Sequence, residues 1–303
     1  MAVGYSPARS ASTSDRVVQT VALLQRRGYA LPAERLGALC LGGALSEAEV
    51  RWAVAAAPAL TFAGDHVVER SAVGRAGEIR SRAKAHDSEA APYLPMTARF
   101  VRSLVAASPF IRAVSVAGSL ASGGFRASDD VDLNLIVDDG HRHLAYVMVN
   151  MLGIAHAFAH RGKPVDDLTR RPVAPRLMTA NLILETSQCH PLVRQDEDMA
   201  YELLVAKPIF GLEVFDEVID ANPALLEHFP QLARRLEPLT PEPTRPRAPE
   251  WLFPARLDGV ARWIGCAAWR YMQWTRRHHP EALSRVAYVR ETMRPYTLFD
   301  GPG

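Results

Sequence analysis

The chain of 303 residues has only three cysteines, almost no net charge and no long uninterrupted apolar run. Each shortage removes a class of explanation. Cys40, Cys189 and Cys266 are odd in number, widely spaced and set mostly among apolar neighbours. That pattern suits free thiols in a reducing compartment rather than a disulfide framework. A net charge of +2 leaves no whole-molecule field that would demand nucleic acid or an anionic membrane, so such a partner would need a local patch. The longest apolar stretch, residues 144–159, is broken by Asn150 and His156 and falls short of the roughly 20 residues that span a bilayer. The N-terminal stretch MAVGYSPARSASTSDR has no apolar centre of the kind a secretory signal carries. The expectation is a cytoplasmic protein with no membrane partner and a disordered lead-in over residues 1–15.

What is present is ordinary for a globular protein: 48% hydrophobic, 22% charged, and long enough for two or three units. Residues 16–72 read as three short helices, the third capped by Ser46, followed by two strands around Ala63-Gly64-Asp65. Three helices and a hairpin suggest a winged-helix-like unit. The third helix, EAEVRWAVAAA, offers one arginine and no cluster of base-reading side chains, which disfavours DNA as a partner. Residues 73–108 read as connecting helices. The charged run through Arg70, Arg75, Arg80, Arg82 and Lys84 is either a solvated face or a set of bases turned toward a phosphate ligand. Pro238, Pro241, Pro243, Pro246 and Pro249 mark a semi-rigid linker over 236–250. A helical C-terminal segment, 251–303, follows, in which Trp263, Trp269, Tyr271 and Trp274 are expected to pack. His156 and His160 stand four apart on a helix, but no acid of the metalloprotease kind lies between them and a helix C-terminus favours His for its dipole alone, so a metal there is disfavoured. Asp138-Asp139-Gly140 reads as a turn.

The chemistry concentrates in SVAGSLASGGFRASDDVDLNLIV, residues 115–137. It predicts a strand, a Gly118-Ser119 turn, a loop of small residues and a second strand carrying Asp130 and Asp132. Side chains two apart on a strand share a face, so the two carboxylates lie together inside an apolar run. They repel and desolvate one another unless a cation joins them. One or two Mg²⁺ ions fit best, because Mg²⁺ takes carboxylate oxygen and keeps room for substrate phosphates. Gly118 lets the backbone approach a ligand, and the amides and hydroxyl of a Gly-Ser turn suit an anion. Ser128 and Arg126, in the loop, are further nucleotide-binding candidates, against plainer roles as a loop cap and a solvent-facing cation. Asp129 is expected to point away from the pair.

Gly118-Ser119, the loop, and Asp129-Asp130-Val131-Asp132-Leu133 together resemble the nucleotidyltransferase superfamily built on a polymerase-β-like palm. The flanks are similar to bacterial nucleotidyltransferase-domain proteins in Ser108-Pro109-Phe110, in Asn181 on a later strand, and in Lys207-Pro208-Ile209-Phe210-Gly211. The resemblance implies an α/β (α+β) palm over 109–235 that binds an NTP, ATP among them. Gly118 and Ser119 would hold the triphosphate, and Asp130 and Asp132 would hold Mg²⁺. A nucleoside monophosphate would pass to a small-molecule or protein acceptor, releasing pyrophosphate. The superfamily usually adds a third carboxylate, and the matching strand here offers Asn181, an amide that cannot accept a proton. Three outcomes stay open: an acceptor that is already anionic, a base supplied from elsewhere, or nucleotide binding without turnover in a sensing or DNA-binding regulator.

Overall fold

The computed structural model describes residues 12–160, 162–164, 177–234, 236–239, 245–278, 280–292 and 295–299. Residues 1–11 of the expected lead-in, most of the basic loop after residue 160 and the middle of the proline-rich linker lie outside these. Residues 12–15, expected to be disordered, form instead the cap and first turn of a helix, because Ser12 and Asp15 make a capping box. The protein is a mixed α/β structure in which a four-stranded sheet is covered on both faces by helices.

The N-terminal helices are α1 (Thr13–Arg26), α2 (Ala33–Ala38) and α3 (Glu47–Ala56). Capping boxes start α1 at Ser12 with Asp15 and α3 at Ser46 with Glu49, so orphan amides at both N-termini are satisfied by nearby side chains. The strands β1 (Leu60–Ala63) and β2 (His66–Glu69) pair antiparallel across Gly64, whose φ of +72° suits the tight turn. On α3, Arg51 is engaged by Glu47 at 2.7 Å and lies over Phe62, so its charge is neutralised locally.

After a 3₁₀ turn, α4 (Ala76–Glu89) and α5 (Tyr93–Ala107) lead to the sheet. The sheet comprises β3 (Ile111–Ala117), β4 (Val131–Val137), β5 (Met178–Glu185) and β6 (Lys207–Phe210), in the order β5-β4-β3-β6. β4 and β5 run parallel, joined through α7 (Arg142–Ala159), and the other neighbours are antiparallel. A short helix, α6 (Gly118–Ser122), leaves the end of β3.

Alternation along the strands divides the core. Val114, Val116, Leu133, Leu135 and Ile183 face α5 and α7 in one cluster. Ala113, Ile136, Leu182 and Leu184 join a second cluster shared with α1–α3 and with α8 (Glu197–Val205) and α9 (Leu212–Asp220). The N-terminal helices therefore bury apolar side chains in the same cluster as one sheet face. The chain continues through α10 (Ala224–His228) to α11 (Leu257–Arg276) and α12 (Pro280–Thr292). Within the described parts of the linker, Leu239 N–H donates to the Pro208 carbonyl, and the amides of Arg247 and Ala248 donate to the Ala106 carbonyl. Among the described residues no helix is long and apolar enough to cross a membrane.

The Asp138-Asp139-Gly140 turn is present as expected. Asp138 takes two hydrogen bonds from Arg112, Asp139 accepts from Thr186 and the Ser187 amide, and Gly140 has φ of +77°. The charged run is not simply a solvated face: α4 turns Arg82, His86 and Glu89 onto the loop 123–129.

Candidate functional site

The end of β3, the turn into α6 and the start of β4 come together at Gly118. Its φ is +59°, and a β-carbon there would stand 2.1 Å from Asp132 Oδ2. No other residue fits: the position needs both the left-handed backbone and the space the carboxylate fills. Asp132 lies in β4 opposite Ala117 on one side and Thr179 of β5 on the other, and accepts a 2.7 Å hydrogen bond from the Thr179 hydroxyl at Oδ1. Asp130 lies one residue before β4 begins at Val131, not within the strand as expected.

Asp129 is a keystone of the loop. Its Oδ2 accepts from Arg82 at 2.8 Å, the Arg126 amide at 3.1 Å and Ser119 Oγ at 3.3 Å, while its carbonyl accepts from Lys163 Nζ at 2.6 Å. Arg82 also donates to the Gly124 carbonyl, Glu89 accepts from the Ala127 amide, and Tyr93 donates to the Ala127 carbonyl. The loop is thus held in a fixed shape by α4 and α5. Lys163 sits among these acids; burial lowers its pKa, and the neighbouring charges of Asp130 and Asp129 pull it partly back.

On the other side of α6 a positive group gathers without visible compensation. Around Gly123, which closes α6 with φ of +105°, Arg35 of α2 reaches the position a β-carbon would take, at 3.2 Å. Lys207 at the start of β6 and His86 of α4 are near enough to repel Arg35 and each other. Burial, then this repulsion, lowers the pKa of both Lys207 and His86. His86 Nδ1 accepts from the Phe125 amide, which suits the neutral ring. Among the described residues neither Arg35 nor Lys207 forms an ion pair with a carboxylate.

Asn181 is not the residue that faces Asp132; Thr179 is. A bulge in β5 places Asn181 between Ala180, opposite Leu133, and Leu182, opposite Asn134. Its side-chain nitrogen donates to Asn134 Oδ1 and to Glu202 Oε1, both at 3.1 Å, and Asn134 donates to the same Glu202 oxygen at 3.0 Å. Glu202 Oε2 accepts from Arg27 at 2.8 Å. Burial works against the Arg27 charge, but Glu202 and Asp198 outweigh it and hold the guanidinium firmly protonated. Beside it, Tyr29 donates to Tyr201 at 2.6 Å, and burial raises the Tyr29 pKa to about 12. Because a carboxylate only accepts, Glu202 dictates that both amides turn their nitrogens toward it.

Of the expected site residues, Gly118, Ser119, Asp130 and Asp132 are brought to one end of the sheet. Arg126 contributes its backbone amide to the loop, and Ser128 lies in the same loop with its exposure intermediate. Among the described residues no three His, Cys, Asp or Glu side chains gather as metal ligands; Thr179 hydrogen-bonds Asp132, and Asn181 is turned to Asn134 and Glu202 instead. The rings of His156 and His160 lie tilted with centroids 4.7 Å apart, and among the described residues no third ligand joins them. Thr179, Arg35 and Arg27 did not stand out in the sequence, and Lys207 did so only as the first residue of Lys207-Pro208-Ile209-Phe210-Gly211, with no role attached to its charge. The one signal was Glu202 itself, a carboxylate inside the apolar run of α8.

No family model, curated protein or solved structure matches this chain. The site rests on its own geometry.

Proposed function

We propose that this protein is a Mg²⁺-dependent nucleotidyltransferase with a polymerase-β-like palm, which passes a nucleoside monophosphate from an NTP to an acceptor and releases pyrophosphate. The observation that carries the reading is the seat of Gly118 on the Asp132 carboxylate. The turn and the Asp132 carboxylate are fitted together without a side chain between them. The donor set suits Mg²⁺, which is bound through one or two carboxylates with substrate phosphates completing its shell. Asp130 and Asp132 would hold it, and when bound it neutralises charge on the phosphates and the departing pyrophosphate. The chain's own part is positioning. Gly118 and Ser119 present the turn to the phosphates, Arg82 and Asp129 fix the loop beside it, and Arg35 and Lys207 offer uncompensated positive charge to an anion. Thr179 holds one oxygen of Asp132 in place. No protein nucleophile is required.

One observation favours binding without turnover as the second reading. The residue opposite Asp132 on β5 is Thr179, which offers no carboxylate base, and the Asn181 nitrogen is committed to Asn134 and Glu202. An acceptor that is already anionic meets the same arrangement without needing a base. The nearby cations support that version of the transferase, with phosphate, phosphonate or carboxylate as the acceptor class.

The test is pyrophosphate release with each of the four NTPs, with and without Mg²⁺, over hydroxyl and anionic acceptors, alongside nucleotide binding. The Asp130→Asn, Asp132→Asn double variant is expected to unfold as the native chain does and to lose Mg²⁺-dependent release. Unchanged release in that variant would remove the site assignment, and Mg²⁺-dependent binding with no release over the whole panel would favour the sensing reading.

A further inference from the structure

The aromatics of α11 do not all pack as the sequence suggested. Trp269 is partly buried, but Trp263 is 74% exposed, Tyr271 65%, Trp274 58% and Val260 57%. The inward face of the helix is carried by Ala261, Gly265 and Trp269, with Gly265 lying against Phe299 and Tyr146. On the outward face Leu257, Val260, Ile264, Ala267, Tyr271 and Trp274 are all exposed. They alternate at spacings of three and four, the a/d pattern of a coiled-coil seam.

Among the described side chains, charge is arranged along one flank of this seam. Arg256, Arg270 and Arg277 lie at g positions with Trp263 between them, and all are exposed; the opposite flank has Ala261, which is buried against the body of the protein, and the exposed Ala268. The one acid in the helix, Asp258, is turned inward to His143 at 2.7 Å.

We propose that the α11 seam docks an amphipathic helix of another protein that carries Asp or Glu beside its apolar stripe. Flanking charges set partner choice in such seams. A second copy of this chain is poorly suited. In parallel it would set the arginines against alanine, and antiparallel against one another. A helix also answers the small residue at the centre of the seam better than a lipid surface does. Ala267 lies between Ile264, Tyr271 and Trp274, leaving a hole that a knob side chain fills, whereas a bilayer imposes no register.

The experiment selects a display library of heptad helices, apolar at a and d and randomised between Lys and Glu at e and g, against the full chain. The expected result is enrichment of Glu on the flanks. A labelled selected peptide should bind in fluorescence anisotropy and weaken about tenfold or more with Ile264→Glu, Tyr271→Glu, a loss of roughly 1.4 kcal/mol or more. Both positions are exposed, and matching unfolding curves for variant and native chain check that the fold is kept. The Arg270→Glu, Arg277→Glu variant should reverse the preference toward Lys-flanked peptides, which decides the matter even if the first variant unfolds. The proposal is overturned by enrichment of Lys or of no charge, or by equal binding to the seam variant. It is also overturned if the chain dimerises alone and Ile264→Glu makes it monomeric, or if phosphatidylserine vesicles capture it and displace the peptide.

Discussion

Gly118 is where single-residue chemistry governs the site. A left-handed backbone costs an L-residue about 1–2 kcal/mol, and here a methyl group would also collide with Asp132 Oδ2. Gly118→Ala is therefore expected to destabilise the fold by at least about that amount in urea denaturation and to displace the carboxylate. Mg²⁺-dependent NTP turnover should fall much further than stability does; turnover at the native level would show that the turn and the acid do not act together. Thr179 and Asp129 illustrate a different residue-scale effect. Each engages an acid or its neighbour without being a candidate for metal or phosphate, so its contribution is orientation.

At the scale of elements, Arg27 and Glu202 join α8 to the end of α1, while Asn134 and Asn181 tie the same carboxylate to β4 and β5. Breaking a buried pair by removing one partner typically costs 3–5 kcal/mol, because a charge is left without compensation. Glu202→Ala and Arg27→Ala should each lose roughly that much, while Arg27→Met combined with Glu202→Leu recovers a large part of it. A double-mutant cycle by chemical denaturation measures the coupling; simple additivity would mean the network does not bind the elements to one another.

The contact between α7 and α11 carries its own pH dependence. Asp258 accepts from His143 at 2.7 Å and from the Leu144 amide at 2.8 Å. Burial tends to raise its pKa, but these hydrogen bonds and the His143 charge outweigh it, so the folded value is depressed. A depressed carboxylate contributes stability that is present above its unfolded pKa, about 3.9, and is lost as pH falls through the folded value. Hydrogen exchange should show α11 loosening below about pH 4, with Asp258→Asn removing that acid-dependent step. An acid response unchanged by Asp258→Asn would place its origin elsewhere.

For the whole molecule, the consequence of the shared core is that the candidate site is not made by the sheet alone. Arg35 comes from the N-terminal helices, His86 from α4 and Lys207 from β6; Arg35 lies against Gly123, His86 holds the Phe125 amide, and the three charges are near enough to repel one another. Arg35→Ala with Lys207→Ala is expected to weaken binding of NTP or inorganic triphosphate about tenfold, equivalent to roughly 1.4 kcal/mol, and to flatten its salt dependence. The unfolding midpoint should hold or rise, since like charges are removed. Unaltered triphosphate affinity would leave the cationic group without a part in ligand binding.

Much of the local framework was legible in the chain. Ser46 with Glu49 announced a capped helix, Gly64-Asp65 a hairpin, Gly118-Ser119 a turn after a strand, and Asp132 a carboxylate in a largely apolar strand. These depend on interactions within a few residues, where spacing alone determines which groups meet. The start of β4 after Asp130, the bulge that turns Asn181 to Glu202, and the choice of Thr179 as the partner of Asp132 were not legible. They depend on register between β4 and β5, which are separated by α7 and set by packing on both sheet faces. The aromatics of α11 were misassigned for the same reason: helical spacing shows that a stripe exists, but only the packing of Ala261 and Gly265 against the sheet side determines which stripe is left outside. The sequence by itself determined the chemistry available at the turn and the acidic strand. Only the tertiary structure decided which distant residues meet there, because Arg35, Lys163 and Lys207 reach it through long-range packing that no local pattern encodes.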